Sequence, residues 1–423
     1  MSYLEKLLKD VTVEWKSLGE VAEYVRGLTY NKSNESGDNT GYKVIRANNI
    51  TLSSHTINFD NIKFIKSDTK VKPIQKLFKN DILISAASGS REHVGKVAYI
   101  FADLDYYFGG FMGVVRGSEQ INPRYLFHIL TCGIFQKYLD EMLNSSTINN
   151  LSSSVMNTFQ IPIPFANNPK KSLEIQQKIV GILDTFSELT AELTAELTAR
   201  KMQYSYYREK LYSFDKNKVQ HLAMDDESIG VFQRGKRFVK TDLISEGVPT
   251  IHYGEMYTHY GTWADKTISF VSEKLVKDKN LRVAEKGDVV IVAAGETIED
   301  IGMGTAWLGE QGVVVHDACF SYKTSLNPKY VAYFTRTKQF HDQIKKHISS
   351  GKISAINSRG LGKAIIPVPS KEEQERVVAI LDKFDILTNS ISEGLPKEIE
   401  LRKKQYEYYR DLLLTFPKDN LVE

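Results

Sequence analysis

The sequence contains an internal duplication, with the second copy about 205 residues after the first. This duplication limits the possible folds more than any other feature. KNDILISAAS, starting at Lys79, is answered by KGDVVIVAAG, starting at Lys286. Other shared motifs keep nearly the same spacing: Arg26-Gly27 with Arg234-Gly235, Gly41 with Gly247, NPRYL at Asn122 with NPKYV at Asn327, and IPIP at Ile161 with IPVP at Ile366. Because small loop insertions shift such a spacing by one or two residues, the sequence predicts two homologous domains.

Both copies carry the pattern of an α+β domain. Short runs of β-branched or aromatic residues, such as KVIRANNI, KVAYIF and DVVIVAAG, are broken by Gly, Asn and Asp, as strands are. Asn122-Pro123 and Asn327-Pro328 are typical of a helix N-cap followed by proline at the first helical position. We therefore predict a twisted sheet with a few helices in each domain.

A long helix is predicted after each IPxP motif. EIQQKIVGILDTF from Glu174 is echoed by EEQERVVAILDKF from Glu372, and each segment leads to a QYxYYR motif. Apolar residues recur at steps of three and four, a spacing typical of a packed helix or a coiled coil. These residues are Ile175, Ile179, Ile182, Phe186, Leu189 and Leu193 in the first helix and Val377, Ile380, Phe384, Leu387 and Ile391 in the second.

The order of these parts along the chain predicts their arrangement. The first helix carries the chain from domain one to domain two, and the second helix leaves domain two, so helices that pack together must be antiparallel. We predict a pseudo-twofold dumbbell, with a domain at each end of a helical spacer. The predicted boundaries are 1–165 for the first domain with a short N-terminal arm, 166–216 for the central helix, 217–369 for the second domain and 370–423 for the C-terminal helix.

Composition and charge exclude several classes of protein. The chain has no apolar run of about 18 residues and no apolar signal-peptide core at its start, so we expect a soluble, cytoplasmic protein. Its two cysteines, Cys132 and Cys319, lie in unrelated contexts, which argues against a disulfide framework or a zinc site. A net charge of +3 is too small to establish a polyanion partner, and the basic clusters at 63–79 and 234–240 are either nucleic-acid patches or solvated faces.

The apparent catalytic motifs fail on spacing. GSREHVGKV at Gly89 resembles a phosphate-binding loop, but five residues separate its glycines and Val97 stands where a magnesium-binding hydroxyl belongs. No HExxH spacing occurs among the nine histidines, and no glycine-rich cofactor turn follows a strand. The sequence predicts a binding protein without catalytic residues and without a metal site.

Taken together, these motifs resemble the DNA-specificity subunit of type I restriction-modification systems. The resemblance rests on tandem domains that each close on IPxP, on the ExQxx(I/V)VxILDxF helices ending in QYxYYR, and on TAEL repeats in the central helix. It implies a non-enzymatic subunit that reads a split DNA site and binds two methyltransferase and two motor-nuclease subunits. S-adenosylmethionine, ATP and magnesium would belong to those partners. The alternatives are a self-sufficient adenine methyltransferase and a protein scaffold that does not bind DNA.

Loops that differ between the two copies are the candidates for reading bases, because aligned positions that agree are expected to do the same job twice. The segment 46–49 aligns with 252–255, and 90–93 aligns with 297–300. Arginine suits guanine, asparagine suits adenine and a carboxylate suits cytosine. The predicted readers, which would make the target asymmetric, are Arg46, Asn48, Asn49, Ser90, Arg91, His93, His252, Tyr253, Glu255 and Thr297.

Shared polar positions are candidates for phosphate contacts, which position a protein without specifying sequence. These candidates are Arg26, Thr147, Arg234 and Lys352, the hydroxyls of Ser152, Ser153 and Ser358, and the basic residues Lys236 and Arg237. Each could instead be a turn or capping residue. A last group either binds a partner subunit or closes the helix pair. It consists of Tyr206, Tyr207, Arg208, Tyr408, Tyr409 and Arg410.

The central helix contains SELTAELTAELTARK, a four-residue repeat with leucine at Leu189, Leu193 and Leu197. Each unit adds about 6 Å and about 40° of net rotation to a helix. One base pair adds about 3.4 Å and about 35° to DNA. The repeat is therefore predicted to set the gap between half-sites, and the alternative is a plain coiled-coil filler.

Overall fold

The computed structural model describes residues 7–52, 54–88, 91–144, 150–351 and 353–416. Internal contacts divide the chain into two units, Met1–Thr194 with Glu398–Glu423, and Ala195–Lys397. Each unit therefore combines one predicted domain with the start of the helix that follows it and the end of the helix that follows the other domain. The sequence-based boundaries separate helices from domains, whereas the contacts join them.

The strands of the first unit form two main sheets. They are β1 (Val13–Ser17), β2 (Ala22–Arg26), β3 (Tyr42–Ile45), β4 (Ile50–Thr51), β5 (Thr56–Ile57), β6 (Lys63–Ile65), β7 (Ile82–Ser85), β8 (Val97–Tyr99), β9 (Tyr107–Phe108), β10 (Met112–Gly117) and β11 (Gln160–Pro164). One sheet is antiparallel with the order β2-β10-β7-β8, and the other has the order β6-β3-β9 with β3 and β9 parallel. In addition, β1 pairs with β11 and β4 pairs with β5.

The strands of the second unit follow the same plan. They are β12 (Gln220–Ala223), β13 (Gly230–Arg234), β14 (Val248–Ile251), β15 (Trp263–Ala264), β16 (Ser269–Val271), β17 (Val283–Ala284), β18 (Val289–Val292), β19 (Ala294–Gly295), β20 (Gly304–Trp307), β21 (Val313–Val315), β22 (Cys319–Thr324), β23 (Ser354–Ala355) and β24 (Ile365–Val368). Their sheets have the orders β13-β22-β18-β20-β15, β16-β14-β21-β17, β12-β24 and β19-β23.

The two units share the main strands of their sheets, and the second unit adds β15 and β17 at the sheet edges. The order β2-β10-β7-β8 returns as β13-β22-β18-β20, and β6-β3-β9 returns as β16-β14-β21, again with the last two strands parallel. The register also repeats, since Arg26 lies opposite Gly113 and Arg234 lies opposite Phe320, at matching positions of the two copies. The predicted α+β class and the duplication are confirmed.

The helices include one that is far longer than the rest. They are α1 (Leu18–Val21), α2 (Pro123–Leu130), α3 (Gly133–Asn144), α4 (Ser153–Thr158), α5 (Pro169–Leu211), α6 (Tyr253–Thr258), α7 (Glu273–Asp278), α8 (Pro328–Phe334), α9 (Lys338–Ile344), α10 (Ser358–Gly362), α11 (Lys371–Asn389) and α12 (Leu395–Thr415). Helix α5 is continuous over 43 residues and contributes to both units. The predicted central helix is thereby confirmed.

The C-terminal segment is not the single long helix that was predicted. It breaks between α11 and α12, where Gly394 adopts a φ of +82° and a Cβ there would lie 2.4 Å from the carbonyl oxygen of Ile386. Only glycine fits this left-handed, crowded position. Ile391, predicted to lie on the apolar stripe, is instead 85% exposed within the break.

The duplicated motifs hold each domain to the helix that follows it. In the first unit the side chain of Asn122 caps α2 by accepting from the backbone N–H of Tyr125 at 3.2 Å. Gln176, which is fully buried, accepts from the backbone N–H of Asn122 at 2.8 Å. The hydroxyl of Tyr125 donates to the carbonyl of Pro162 in the IPIP motif at 2.8 Å. The NPxY, ExQ and IPxP motifs are therefore three parts of one junction.

The second unit builds the same junction from the same motifs. Gln374 accepts from the backbone N–H of Asn327 at 2.8 Å, and Tyr330 donates to the carbonyl of Pro367 at 3.1 Å. All of these groups are buried or half-buried, so leaving any one of them unpaired would cost about 1–3 kcal/mol. This cost explains why both copies carry identical letters at these positions.

Two glycines allow the backbone to pass close to itself next to the paired arginines. A Cβ on Gly27 would lie 2.0 Å from the carbonyl oxygen of Gly109, and one on Gly235 would lie 2.2 Å from that of His316. The shared Arg-Gly dipeptide therefore has a steric basis.

We expect Gly27→Ala to lower the free energy of unfolding by at least about 2 kcal/mol, because the backbone must move to admit the methyl group. Gly181→Ala is the matched control, since Gly181 lies on α5 with nothing within 4 Å of its added Cβ. That change should raise stability by about 0.5–1 kcal/mol through helix propensity. Urea denaturation of the two variants checks both signs, and equal effects would refute the steric explanation.

Candidate functional site

Several loops of the first unit meet at one edge of its sheets. The amide of Gly109 donates to the carbonyl of Ile45 at 3.0 Å, and the amide of Ala86 donates to that of Phe111 at 2.8 Å. Leu151 donates to Ala86 at 2.7 Å. These bonds gather the segments 46–49, 86–93, 109–111 and 150–151, which we call the first loop face; residues 89 and 90 lie outside the described structure.

The second unit gathers the equivalent loops, and two of the bonds that do so have direct counterparts in the first unit. The amide of Ala293 donates to the carbonyl of Ala318 at 2.7 Å, and that of Ile356 donates to Ala293 at 2.8 Å. The amide of Lys236 donates to Val315 at 3.2 Å. The second loop face comprises 234–237, 252–255, 293–300, 316–318 and 353–356, of which all residues are described.

The predicted readers of segment 46–49 do not share one role. Asn49 is fully buried, and its amide group accepts from the backbone N–H of Arg46 at 3.0 Å and donates to the carbonyl of Asp60 at 2.7 Å. It therefore closes the loop and cannot read a base, which corrects the prediction. Arg46 is half-buried and donates to the carbonyl of Asn61 at 2.9 Å, while Asn48 is exposed.

The second segment of the first loop face presents exposed side chains. Arg91 and His93 are both exposed, and Arg91 forms an ion pair with Asp140 at 2.8 Å. The two side chains of that pair are 46% and 67% exposed, so the pair contributes little and can exchange for another partner. Ser90 lies outside the described residues.

The second loop face also uses one predicted reader for its own structure. The carboxylate of Glu255 accepts from the backbone N–H of His252 at 3.2 Å and from the hydroxyl of Ser269. One oxygen thus closes the start of α6 and the other binds β16, while the residue remains half-buried, so its reader role stays a prediction. The hydroxyl of Thr297 is exposed and donates to Asp300.

His252 and Tyr253 belong to an aromatic cluster that sequence reasoning missed in part. Their rings lie 4.7 Å and 5.4 Å from the ring of His316, which packs edge-on against Phe238 at 4.9 Å. Burial lowers the pKa of both histidines, and their proximity lowers that of His316 further. His316 follows β21, the parallel neighbour of β14, so its place beside His252 was visible only once the strand pairing was known.

The predicted phosphate contacts divide into engaged and exposed groups. The guanidinium of Arg26 is bonded to loop carbonyls, whereas Arg234 is exposed and bonds one carbonyl, that of Asp317, at 3.0 Å. Arg237 is exposed, and Lys236 is half-buried with its ammonium 3.4 Å from the carbonyl of Lys279.

The remaining candidates for phosphate contact, which are hydroxyl groups and one lysine, differ in their surroundings. Ser152 caps α4 by accepting from the amide of Val155 at 3.3 Å, which favours its capping alternative. Ser153 and Ser358 are exposed. Thr147 and Lys352 lie outside the described residues.

In the first unit, the first tyrosine of the YYR motif is exposed and the other two residues contact the rest of the unit. Tyr408 is 65% exposed, while Tyr409 stacks on Phe186 with ring centroids 5.2 Å apart. Arg410 donates to the carbonyl of Thr131 at 2.9 Å.

In the second unit, the two tyrosines of the motif differ in the same way. Tyr206 is 59% exposed, Tyr207 stacks on Phe384 at 5.6 Å, and Arg208 lies over the ring of Tyr204 at 5.3 Å. The second tyrosine therefore packs against another long helix in each unit, and the first tyrosine is exposed. The arginines differ, because that of the second unit packs on its own helix and that of the first unit ties α12 to the end of α2.

A buried histidine sits beside the junction of the first unit. His128 is fully buried between Asp184, 2.9 Å from its Nε2, and the Tyr406 hydroxyl, 3.0 Å from its Nδ1. Burial raises the pKa of Asp184, but hydrogen bonds from His128 and Arg124 and the charge of Arg124 outweigh it and bring that pKa to about 2. Burial lowers the pKa of His128 against the opposing hydrogen bond of Asp184. In the second unit the equivalent of His128 is Tyr333, which donates to Asp382 at 2.7 Å.

The described part of the chain contains neither a cluster of metal ligands nor a helix that could span a membrane. No three or more His, Cys, Asp or Glu side chains there come together as metal ligands. Within the same residues no helix is both long enough and apolar enough to cross a membrane.

Comparison with known proteins defines the class to which this architecture belongs. A family model for the type I restriction modification DNA specificity domain matches the chain twice, over residues 10–200 and 227–401. The chain belongs to this family. The predicted function is thereby confirmed: the protein is a sequence-specific DNA-recognition subunit and is not itself catalytic.

Individual relatives match over their whole length. The specificity subunit of the type I restriction enzyme EcoR124I/EcoR124II from Escherichia coli is 32% identical over 433 residues, covering 100% of this chain and 99% of that protein. A putative type I restriction enzyme specificity subunit from Haemophilus influenzae is 31% identical and covers 98% of both chains.

Solved structures share the fold at low sequence identity. A chain from a type I R-M system, solved to explain complex assembly and conformational transition, has a TM-score of 0.64 at 16% identity, covering 96% of this chain and 98% of that one. The HsdS subunit from Thermoanaerobacter tengcongensis has a TM-score of 0.50 at 15% identity, with coverages of 95% and 96%.

The environment of His128 predicts a pH dependence of stability. Its pKa in the folded protein is below the unfolded value of about 6.5. The unfolded chain therefore binds the proton first, and stability is lost as pH falls from about 6.5 towards the folded pKa, while Asp184 stays charged. We expect His128→Gln to reduce this loss by up to about 1.4 kcal/mol per unit of pKa shift.

Thermal unfolding at pH 7.5 and 5.5 measures this difference. The exposed His259→Gln is the control for exchanging an imidazole for an amide. If the two variants show the same pH dependence, His128 is not the group responsible.

Proposed function

We propose that this subunit recognises a bipartite, asymmetric DNA target, with one half-site read by each loop face. The observation that carries the proposal is the duplication itself: two sheets of the same order present two loop faces with different exposed side chains. Asn48, Arg91 and His93 lie on the first face, and His252 and Tyr253 lie on the second. Side chains of these types hydrogen-bond to base edges in the major groove, and different sets select different sequences.

Basic residues around the second face suit the backbone of the same duplex. Arg234 and Arg237 are exposed, and such side chains neutralise phosphates and position a protein without specifying sequence. The small net charge of +3 agrees with local basic regions on a nearly neutral protein. The cytoplasm, where bacterial DNA lies, is the compartment that this role requires.

The protein acts with other subunits in this proposal. Its relatives are specificity subunits of type I restriction enzymes, so we assign to it two methyltransferase and two restriction subunits as partners. S-adenosylmethionine, ATP and magnesium belong to those partners. The outward-facing Tyr206 and Tyr408 are the candidates for contact with the methyltransferase, because an exposed tyrosine supplies a large rigid apolar area and a hydroxyl.

The spacer helix sets the gap between the half-sites. Helix α5 runs without a break through the four-residue repeat. Leu189, Leu193 and Leu197 are half-buried, while the alanines two positions after each leucine are exposed. Removing one unit keeps the leucine stripe on one face of the helix and shortens the helix by about 6 Å with about 40° of rotation.

We expect deletion of one LTAE unit to shorten the gap by about one base pair and to leave both half-sites unchanged. A genome-wide map of methylated adenines in cells carrying the chain and its methyltransferase measures the gap. The length-preserving control replaces Thr194 and Glu196 by Ser and Gln and should keep the original gap. An unchanged gap after the deletion would show that the repeat is filler, and the absence of any split motif with the intact chain would overturn the proposed function.

We expect Tyr206→Ala and Tyr408→Ala to weaken binding of the methyltransferase subunit by about tenfold or more each, as loss of an exposed aromatic anchor does. Neither change should lower the unfolding temperature, because neither side chain is buried. Tyr207→Ala and Tyr409→Ala are the matched controls and should lower that temperature by removing a ring stack. Affinity measured by calorimetry together with thermal unfolding separates the two groups; normal affinity in the first pair would assign the contact elsewhere.

A further inference from the structure

Arg26 and Arg234 occupy the same position in the two copies, yet the structure gives them different partners. Arg234 is exposed and donates from Nε to the carbonyl of Asp317. Arg26 is half-buried and donates from Nη2 to the equivalent carbonyl, that of Gly110, at 3.0 Å. Arg26 also reaches a second segment that Arg234 does not contact within the described residues.

That second segment is the start of the chain leading into α4. Nη1 of Arg26 donates to the carbonyl of Leu151 at 2.8 Å and to the side-chain oxygen of Asn150 at 3.2 Å. The hydroxyl of Tyr24 donates to the same Leu151 carbonyl at 3.3 Å. Leu151 itself is fully buried, so these bonds fix the backbone at a defined place.

The contact extends to a reading loop through the backbone. Leu151 donates to the carbonyl of Ala86, and Ala87 forms an isolated bridge with Asn150. Ala86 begins the segment that carries Arg91 and His93. The guanidinium thus ties two segments of the first loop face, 109–111 and 150–151, and the backbone pairing of 150–151 with Ala86 and Ala87 connects them to the third, 86–93.

The second face holds the corresponding segments by backbone pairing. There β19 and β23 form a two-residue ladder, Ala294 with Ala355 and Gly295 with Ser354, and Ser349 bridges to Ala355 as well. The described part of the first unit has the single bridge between Ala87 and Asn150 at this place. In the first unit, Arg26 adds to this bridge a side-chain link between Gly110 and residues 150–151.

We propose that Arg26 is a positioning residue for the first half-site: it fixes the reading loop of the first loop face, while Arg234 contacts a phosphate. The proposal rests on the proposed function. Its physical basis is geometric, because the planar guanidinium can bond two carbonyls and an amide oxygen at once, whereas the ammonium of lysine is a single point of charge. These acceptors and the Tyr24 hydroxyl, 3.5 Å from Nη1, are all neutral oxygens, so the arginine is used here for its shape.

The test uses the chain assembled with its methyltransferase subunits and a duplex carrying the mapped target. Two quantities are measured by competition binding. The first is the discrimination between the target and duplexes with one base pair changed in either half-site. The second is the slope of the logarithm of affinity against the logarithm of salt concentration.

We expect Arg26→Lys to reduce discrimination at one half-site by about tenfold, to leave the other half-site unchanged and to leave the salt slope unchanged, since the charge is retained and no phosphate contact is lost. Arg234→Ala should weaken binding to all duplexes alike and reduce the magnitude of the slope by about 0.9. If Arg26→Lys binds and discriminates as the original chain does, while Arg26→Ala reduces the slope as Arg234→Ala does, Arg26 is a phosphate contact and the proposal fails.

Tyr24→Phe provides a second variant that keeps Arg26 itself, removes of its bonds only the weak one from Nη1 to the Tyr24 hydroxyl at 3.5 Å, and is mild enough to fold. It removes the hydroxyl that shares the Leu151 carbonyl, so a smaller loss of discrimination at the same half-site is expected. Full discrimination in Tyr24→Phe together with full discrimination in Arg26→Lys would overturn the positioning role. A complex with the original chain that discriminates at neither half-site would instead refute the proposed function.

Discussion

The fold of each unit depends on the helix that starts at the Asn-Pro dipeptide. The asparagine makes two of the bonds at this junction: its side chain caps the helix, and its amide donates to a glutamine of the long helix. The tyrosine three residues later makes the third bond, by donating to the IPxP strand. The domain and the start of the long helix share an apolar core, which includes Ile175, Ile179 and Leu183, but apolar contacts are non-directional. Buried hydrogen bonds of defined geometry therefore fix the angle at which they join, because each would be costly to leave unmade.

This junction explains why the most recognisable letters of the sequence lie away from the loop faces. Asn122, Tyr125, Pro162 and Gln176 have exact counterparts in the second copy, and all of them serve the attachment of domain to helix. These motifs could be recognised in the sequence because each has a local structural role, such as capping a helix or forming an apolar stripe. The duplication and the long central helix were predictable for the same reason, since repetition and periodicity report on them directly.

The loop faces were less predictable, because their residues are brought together by strand pairing across 60 or more positions. His316 lies beside His252 because β14 and β21 are parallel neighbours in the sheet. The break before α12 was missed for a different reason. Ile391 continues the apolar spacing of the helix, and the glycine at 394 that ends this pattern acts through its left-handed backbone, which periodicity does not register.

Comparison of the two loop faces also shows that identical residues there need not have identical roles, and that different residues can share one. Asn49 and Glu255 differ in type and were predicted to read different bases, yet each accepts from the backbone N–H three residues earlier and closes the same turn. Arg26 and Arg234 are identical and were assigned the same phosphate role, yet one cross-links two loop segments and the other is exposed. A carboxylate and an amide oxygen are equivalent to a backbone donor, so the turn accepts either residue. An arginine, by contrast, has five donors and takes its role from whichever carbonyls the surrounding loops present. After a domain is duplicated, its loops can change while the geometry of its turns is kept. The role of a residue that both copies share therefore depends on the loop residues around it.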